Sequence, residues 1–103
     1  MTRYACEFGV FCIDAIPNQP QVAHCHSFFV PANKRGIGYG TLLKEYQNKV
    51  LSDLCFDYAT CTTSEDNIRQ HSVLRNSGWQ IISSFHNRNT DKGTIMWGYE
   101  VPK

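Results

Sequence analysis

Apolar and aromatic residues dominate the N-terminal part of the chain, in short runs that turn residues interrupt. Three strands are predicted there, over Tyr4–Phe8, Val10–Ile16 and Gln21–Val30. The two prolines within residues 17–20 predict a turn between the second and the third strand. Strict alternation along the third strand would put His24, His26 and Phe28 on one face of the sheet.

Further along the chain, the spacing of the apolar residues changes to three or four positions. They fall at Tyr39, Leu42, Leu43, Tyr46, Val50, Leu51 and Leu54. This spacing predicts a helix of about four turns, with Lys44 and Gln47 on its polar face. A second helix is predicted from the capping residues Ser64–Asn67 to about Asn76, and Gly78 is placed to end it.

Three more strands are predicted, over Phe56–Thr62, Trp79–Phe85 and Thr94–Val101, with the polar loop His86–Gly93 between the last two. The resulting order is three strands, helix, strand, helix and two strands. This order predicts an α+β fold with a mixed sheet flanked by helices, in one domain spanning residues 1–103.

Composition narrows the possible function classes. With 103 residues and a formal net charge of +1, the chain gives no reason to expect a nucleic acid or a membrane as its partner. It contains no apolar run long enough to span a bilayer and no secretory signal, so we expect a soluble, cytoplasmic protein. Five cysteines without a C-x-x-C pair argue against a disulfide framework and a zinc site, and no metal site is predicted. We interpret the cysteines mostly as small buried apolar residues.

The most informative segment is a glycine-rich turn between a strand and a helix, Arg35-Gly36-Ile37-Gly38-Tyr39-Gly40. Glycines let the backbone approach an anion closely, so that successive N–H groups can point at phosphate oxygens. The helix start and the neighbouring Lys34 and Arg35 add positive charge, which favours a diphosphate ligand. Taken alone, the pattern is explained equally well by turn or packing glycines. The requirements of a dinucleotide-binding fold or a P-loop are not met.

Two motifs resemble the GNAT superfamily of N-acetyltransferases. Arg35, Gly38 and Gly40 match its R-x-x-G-x-G loop, and the spacing of Asn67, Leu74 and the Gly78-Trp79 pair is similar to a second family segment downstream. The resemblance implies acetyl-CoA as co-substrate and a splayed, mostly antiparallel sheet. It also implies a truncated GNAT fold that lacks the family's N-terminal helices.

The resemblance also implies a set of cofactor-binding residues. These are Phe28, Phe29, Val30, Arg35, Gly36, Ile37, Gly38, Tyr39, Gly40, Thr41 and Asn67. Backbone amides of residues 35–41 would hold the diphosphate, and the main chain of residues 28–30 would pair with the pantetheine arm. Asn67 would hydrogen-bond the pantetheine or the substrate, although an Asn there is equally typical of a helix start.

For catalysis, His24 stands where protein-lysine acetylating members of the family commonly have a carboxylate. We interpret His24 as the general base, with His26 one step further on the same face; the alternative is a pair of ordinary strand histidines. The N–H of Phe28 would stabilise the oxyanion. Leu74 stands where many members have a tyrosine that protonates the leaving thiol, and this departure weakens the case for efficient catalysis.

The missing N-terminal helices imply an open acceptor groove, or one that a second subunit completes in a homodimer. An open groove suits a protein or peptide amine better than a small amine. The alternative is a catalytically degenerate family member with a binding or structural role, for example in a phage. An RNA-binding module using Phe28 and Phe29 is disfavoured, because adjacent strand residues point to opposite faces.

Overall fold

The structure is a computed structural model that describes residues 2–103; Met1, which belongs to the predicted domain, lies outside the described residues. Within this range the strands are β1 (Thr2–Cys6), β2 (Gly9–Ile16), β3 (Gln19–Phe29), β4 (Tyr58–Ser64), β5 (Gln80–Asn87) and β6 (Lys92–Glu100). The helices are α1 (Tyr39–Asp53) and α2 (Ile68–Asn76), and a 3-10 turn covers Ala32–Lys34. No helix in the described range is both long and apolar enough to cross a membrane.

The strands form a single sheet in the order β1-β2-β3-β4-β6-β5. β3 and β4 run parallel, and the other neighbouring strands run antiparallel. Pairing between β3 and β4 is confined to Val22–His24 against Tyr58–Thr60, although β3 continues to Phe29 and β4 to Ser64. The two strands therefore separate, and the predicted mixed, mostly antiparallel and splayed sheet with flanking helices is confirmed.

A bulge in β3 changes which side chains share a face. Ser27 and Phe28 together lie opposite the single residue Phe11 of β2, and Ser27 has a left-handed φ of 56°. His24 and His26 stay together, with their ring centroids 6.1 Å apart. The ring centroid of Phe28 instead lies 5.1 Å from Nζ of Lys44 on α1. The expectation of one shared face is wrong for Phe28, because the bulge interrupts the alternation.

Helix α1 buries part of its predicted apolar face together with two residues of its predicted polar face. Its buried residues are Leu43, Lys44, Gln47, Val50 and Leu51. Leu42 and Leu54 are exposed. Lys44 lies in the interior with its ammonium 4.0 Å from the ring centroid of Trp79, because the face of an aromatic ring attracts a cation. The prediction that Lys44 and Gln47 belong to the polar face is wrong.

The turns are tighter than the sequence predicts. Only Pro17 and Asn18 separate β2 from β3, and the predicted loop His86–Gly93 is reduced to residues 88–91. The loop is shorter because antiparallel pairing of β5 with β6 continues into its polar residues. At the end of α2, Gly78 has a left-handed φ of 87°, as expected of a glycine that ends a helix.

The core lies between the sheet and the two helices, which also contact each other. The burial of the cysteines agrees only in part with the interpretation made from the sequence. Cys12, Cys25 and Cys61 are buried, Cys6 is half-buried, and all five cysteines are free thiols. Cys55 differs, because it is exposed directly after the end of α1.

Candidate active site

A cavity of about 430 Å³ opens at the N-terminus of α1. Of the residues predicted to bind the cofactor, the ones that line it are Phe28, Phe29, Val30, Arg35, Gly36, Gly40 and Asn67. Helix α2 supplies three lining residues that were not predicted: Arg69, Gln70 and Val73. Arg35 and Arg69 give this cavity two cationic side chains.

The glycine turn brings backbone, rather than side chains, to this cavity. Gly36 and Gly38 have left-handed φ angles of 82° and 87°, and a Cβ on either would meet no other atom within 4 Å. These two glycines are therefore required by backbone conformation and not by packing. Gly38 caps α1, so the N–H groups of the first turn, which begins at Tyr39, have no partner within the helix.

Two basic residues fix the shape of the turn. The Nε of Arg35 donates to the carbonyl of Val30 at 2.8 Å, and its guanidinium lies 5.2 Å from the ring centroid of Phe29. The Nζ of Lys34 donates to the carbonyl of Glu7 at 2.7 Å. The turn is thus tied to the end of β3 and to the turn after β1.

Four predicted cofactor-binding residues do not line the cavity: Ile37, Gly38, Tyr39 and Thr41. The side chain of Ile37 is exposed, and the ring of Tyr39 packs edge-on against Phe8 with centroids 5.4 Å apart. A contact from these residues to a phosphate would therefore come from the main chain.

A second cavity, of about 310 Å³, lies where β3 and β4 separate. It shares Phe28, Asn67 and Gln70 with the first cavity, so the two meet at these residues. Its remaining lining residues are Cys25, His26, Ser27, Lys44, Gln47, Cys61, Thr62, Thr63 and Ser64. The splay between the strands therefore forms a slot that leads from the helix terminus into the sheet.

Buried polar groups of α1 line this slot. Lys44 is 1% exposed, and its burial lowers the pKa of its ammonium group. Gln47 is 0% exposed, and within residues 2–103 neither its Nε2 nor its Oε1 has a hydrogen-bond partner. Burial raises the pKa of Cys25 to about 12 and also raises that of Cys61, so both thiols stay protonated. An amide without a partner in a polar slot is suited to a ligand or a water that both donates and accepts.

The two candidate base histidines have different hydrogen bonds. The Nδ1 of His24 lies 2.9 Å from Oγ1 of Thr60, and its pKa is lowered chiefly by burial and further by the charge of His26. The Nε2 of His26 lies 2.6 Å from Oδ2 of Asp14, and its Nδ1 lies 3.0 Å from Oγ of Ser27. The hydrogen bond with His26 is the main reason that the pKa of the Asp14 carboxyl is lowered.

The residues of the second family motif, Asn67, Leu74 and the Gly78-Trp79 pair, make mainly structural contacts. Asn67 is the N-cap of α2, and its side chain accepts a hydrogen bond from the N–H of Gln70 at 3.4 Å. Leu74 is fully buried in the core. Trp79 donates through Nε1 to Oδ1 of Asn48 at 2.9 Å and stacks on Tyr99. Asn67 thus has the helix-start role, and it lines both cavities as well.

Several residues at the site were not found from the sequence: Asp14, Ser27, Lys44, Gln47 and Arg69. Asp14 pairs directly with His24 across the β2–β3 ladder and is diagonal to His26. If the register between the two predicted strands had been known, it would have revealed that contact. Ser27 joins the histidine only because of the bulge, for which the sequence carries no clear signal.

No family model and no curated protein matches the chain. Solved structures do match it. An acetyltransferase from Bacillus subtilis in complex with CoA superposes with a TM-score of 0.81 at 15% identity, covering 90% of this chain and 68% of the other. A ribosomal-protein-S18-alanine N-acetyltransferase from Escherichia coli gives 0.76 at 10% identity, covering 91% and 61%. A GCN5-related N-acetyltransferase from Kribbella flavida gives 0.73 at 20% identity, covering 88% and 57%.

The chain has the fold of the GNAT acetyltransferases. The fold that the two motifs imply is therefore confirmed, and the splay between β3 and β4 is part of it. In these three comparisons, this GNAT-fold chain spans from 57% to 68% of the length of the solved structures.

Proposed function

We propose that the protein is an acetyl-CoA-dependent N-acetyltransferase that acetylates a primary amine, on a protein or peptide. The observation that carries this proposal is the meeting of the two cavities at Phe28, Asn67 and Gln70. Together they suit one extended ligand with an anionic end at the helix terminus and a neutral, amide-containing arm in the slot. Acetyl-CoA has this chemistry.

The diphosphate of the ligand would bind at the glycine turn. Backbone N–H groups around Gly36, Gly38 and Gly40 would donate to its oxygens, and the start of α1 would add its dipole. Arg35 and Arg69 would supply full positive charges from two sides of the cavity.

The pantetheine arm would lie in the slot between β3 and β4. The main chain of Phe28, Phe29 and Val30 lies at the point where β3 has left β4 and can pair with the amides of the arm. The buried amide of Gln47 needs both a donor and an acceptor, and a pantetheine amide offers both.

Transfer requires a neutral acceptor amine. We assign its deprotonation to His24, whose lowered pKa keeps it neutral and able to accept a proton near pH 7, with His26 beside it. The N–H of Phe28 would stabilise the oxyanion. The hydrocarbon side chain of Leu74 has no proton to donate to the leaving thiol, and a thiol of ordinary pKa leaves as thiolate.

The acceptor proposal is supported by the openness of the histidine face. The side chains of His26 and Asp14 are 32% and 38% exposed, so a large acceptor can approach them from solvent. Among the proteins with the same fold, the one from Escherichia coli is named for an alanine of ribosomal protein S18. Acetylation of a peptide panel, compared with polyamines and aminoglycosides, tests this choice.

Calorimetric titration with acetyl-CoA tests the co-substrate. Replacing Arg35 by Ala should weaken binding about tenfold to a hundredfold, the usual worth of a hydrogen bond to a charged group. Arg88→Ala, in the loop between β5 and β6, is the matched control and should bind as the unchanged protein does. Absence of binding at millimolar acetyl-CoA would overturn the proposal, and binding without turnover would favour a degenerate, ligand-binding family member.

A further inference from the structure

The inner end of the slot between β3 and β4 is lined by four buried side chains that carry an ammonium group, an amide and two thiols. They belong to Lys44, Gln47, Cys25 and Cys61. The two cysteines follow directly after the last paired residues of β3 and β4. This group therefore lies at the closed end of the slot, where the strands begin to separate.

The ammonium group of Lys44 has no counter-ion at this end of the slot. Within residues 2–103 its nitrogen forms no hydrogen bond and no ion pair, and it contacts the rings of Trp79 and Phe28 instead. The faces of two aromatic rings return only part of the hydration that a buried cation loses. An anion in the slot would compensate the buried charge more fully, because charges interact strongly where water is excluded.

The residues around Lys44 do not supply this anion. Burial raises the pKa of Cys25 to about 12 and also raises that of Cys61, so both thiols are uncharged near pH 7, although the charge of Lys44 opposes these shifts. Among the described residues that line the slot, none is an Asp or a Glu. The missing negative charge has to come from a ligand.

A carboxylate suits this end of the slot. Its single negative charge matches the one ammonium group of Lys44, whereas the cavity with two arginines suits a more highly charged phosphate. A carboxylate also has a second oxygen, which can accept a hydrogen bond from the buried Nε2 of Gln47. Lys44 and Gln47 are three residues apart on one helix, a spacing that puts their side chains on the same face.

We propose that Lys44 and Gln47 form a binding site for a ligand carboxylate at the closed end of the slot. Nζ of Lys44 donates to one carboxylate oxygen, and Nε2 of Gln47 donates to the other. The Gln47 amide has a second N–H and its own oxygen, so it can still contact the pantetheine arm.

The carboxylate has two possible sources. One is the acyl chain of a dicarboxylic thioester, such as malonyl-CoA or succinyl-CoA. In that case the inference rests on the proposed function and narrows the class of acyl donor. The other is a free short carboxylic acid that enters the slot from solvent, and this source does not depend on the coenzyme.

Two pairs of ligands distinguish these sources on the unchanged protein. Succinyl-CoA and butyryl-CoA have acyl chains of the same length, which end in a carboxylate and a methyl group. Succinate and butyrate form the corresponding pair without the coenzyme. In calorimetric titrations, the ligand with the additional carboxylate should bind about tenfold or more tightly than its partner in at least one pair, the usual worth of hydrogen bonds to a charged group.

Variants assign the preference to its residue. Lys44→Met should abolish it, and Lys49→Met, at an exposed lysine of the same helix, is the matched control that should keep it. Arg69→Ala should also keep it, because Arg69 lines the other cavity and not the slot. This third variant tests the site even if Lys44→Met does not fold.

The outcomes separate the carboxylate site from the transferase proposal. Equal affinities within both pairs overturn the site even if acetyl-CoA binds. A preference that survives in Lys44→Met, or that is lost in Arg69→Ala, overturns it as well. A Lys44-dependent preference for succinate, in a protein that binds no acyl-CoA, would uphold the site and overturn the transferase proposal.

Discussion

Lys44 carries an ammonium group inside the interface between α1 and the sheet, where it is 1% exposed. Its Nζ lies 4.0 Å from the ring centroid of Trp79 and 5.1 Å from that of Phe28, and it forms no ion pair with a carboxylate of residues 2–103. Cation–π attraction of this kind offsets only part of the cost of removing the charge from water. We therefore expect Lys44 to lower the stability of the protein.

Replacing Lys44 by Met should raise the free energy of unfolding by about 1–4 kcal/mol, because the apolar volume is kept and the buried charge is removed. Burial lowers the pKa of Lys44 below 10.5. Between the lowered pKa and 10.5, the unfolded chain binds more protons than the folded chain does. Stability should therefore rise with pH through this window in the unchanged protein, and the rise should be smaller in Lys44→Met.

Urea unfolding at a series of pH values measures both effects. Lys49→Met is the matched control, since Lys49 lies on the same helix in an exposed ion pair with Asp53. A destabilised Lys44→Met variant would contradict the prediction. The affinity of the same variant for acetyl-CoA would then show whether the ammonium group of Lys44 contributes to ligand binding in the slot.

His24 gives a second prediction at this scale. Burial and the charge of His26 lower its pKa, while the charge of Asp14 opposes the shift. In an NMR titration, the ring of His24 should therefore change its charge below pH 6.5. Because the folded pKa is the lower one, stability should fall as the pH drops through the interval below 6.5. A His24 midpoint at or above pH 6.5 would contradict this prediction.

At the scale of elements, the glycine turn allows the effect of backbone conformation on stability to be separated from the effect of side-chain packing. Gly36→Ala and Gly38→Ala introduce a Cβ where nothing lies within 4 Å, so their cost comes only from the left-handed backbone. We expect each to destabilise the protein by about 1–2 kcal/mol and to weaken acetyl-CoA binding, because the N–H groups would turn away from the diphosphate.

Gly40 is the natural comparison within the same motif. It lies inside α1 without a positive φ, and a Cβ there would meet only Val73, at an ordinary 3.5 Å. Gly40→Ala should therefore stabilise the helix by about 0.5–1 kcal/mol. Thermal unfolding of the three variants checks the set, and equal destabilisation by all three would show that the glycines act through packing.

The elements also show what the sequence could reveal and what it could not. The spacing of the apolar residues and the positions of the turn residues were sufficient to predict the order of strands and helices. The glycine motif was sufficient to predict where α1 begins. The apolar spacing found part of the buried face of α1 but missed Lys44 and Gln47, because hydrophobicity alone cannot predict a cation held between aromatic rings. The bulge at Ser27 depends on the register of β3 against β2, a tertiary property that strand propensity does not contain.

Across the whole molecule, the separation of β3 from β4 explains the position of both cavities. The strands pair only as far as His24 and Thr60, so the slot begins one residue beyond the last paired histidine. The bulge, the glycine turn and the N-terminus of α2 all border this opening. The candidate catalytic groups and the candidate anion site are therefore consequences of one topological feature.

The far edge of the sheet gives the last prediction. β5 pairs only with β6, so one side of its backbone has no neighbouring strand in the sheet order. It also exposes three large apolar side chains, Ile81, Ile82 and Phe85. An edge that combines unpaired backbone with apolar side chains favours pairing with a second copy. We expect a homodimer formed through this strand.

Sedimentation over a range of protein concentrations tests the dimer. Ile82→Lys and Phe85→Lys should shift the equilibrium to the monomer, because each places a charge in the interface that the dimer would bury. Ile68→Lys, an exposed isoleucine at the start of α2, is the matched control and should leave the dimer unchanged. A monomer at every concentration would contradict the expectation. In that case the acceptor groove would have to function without a second subunit.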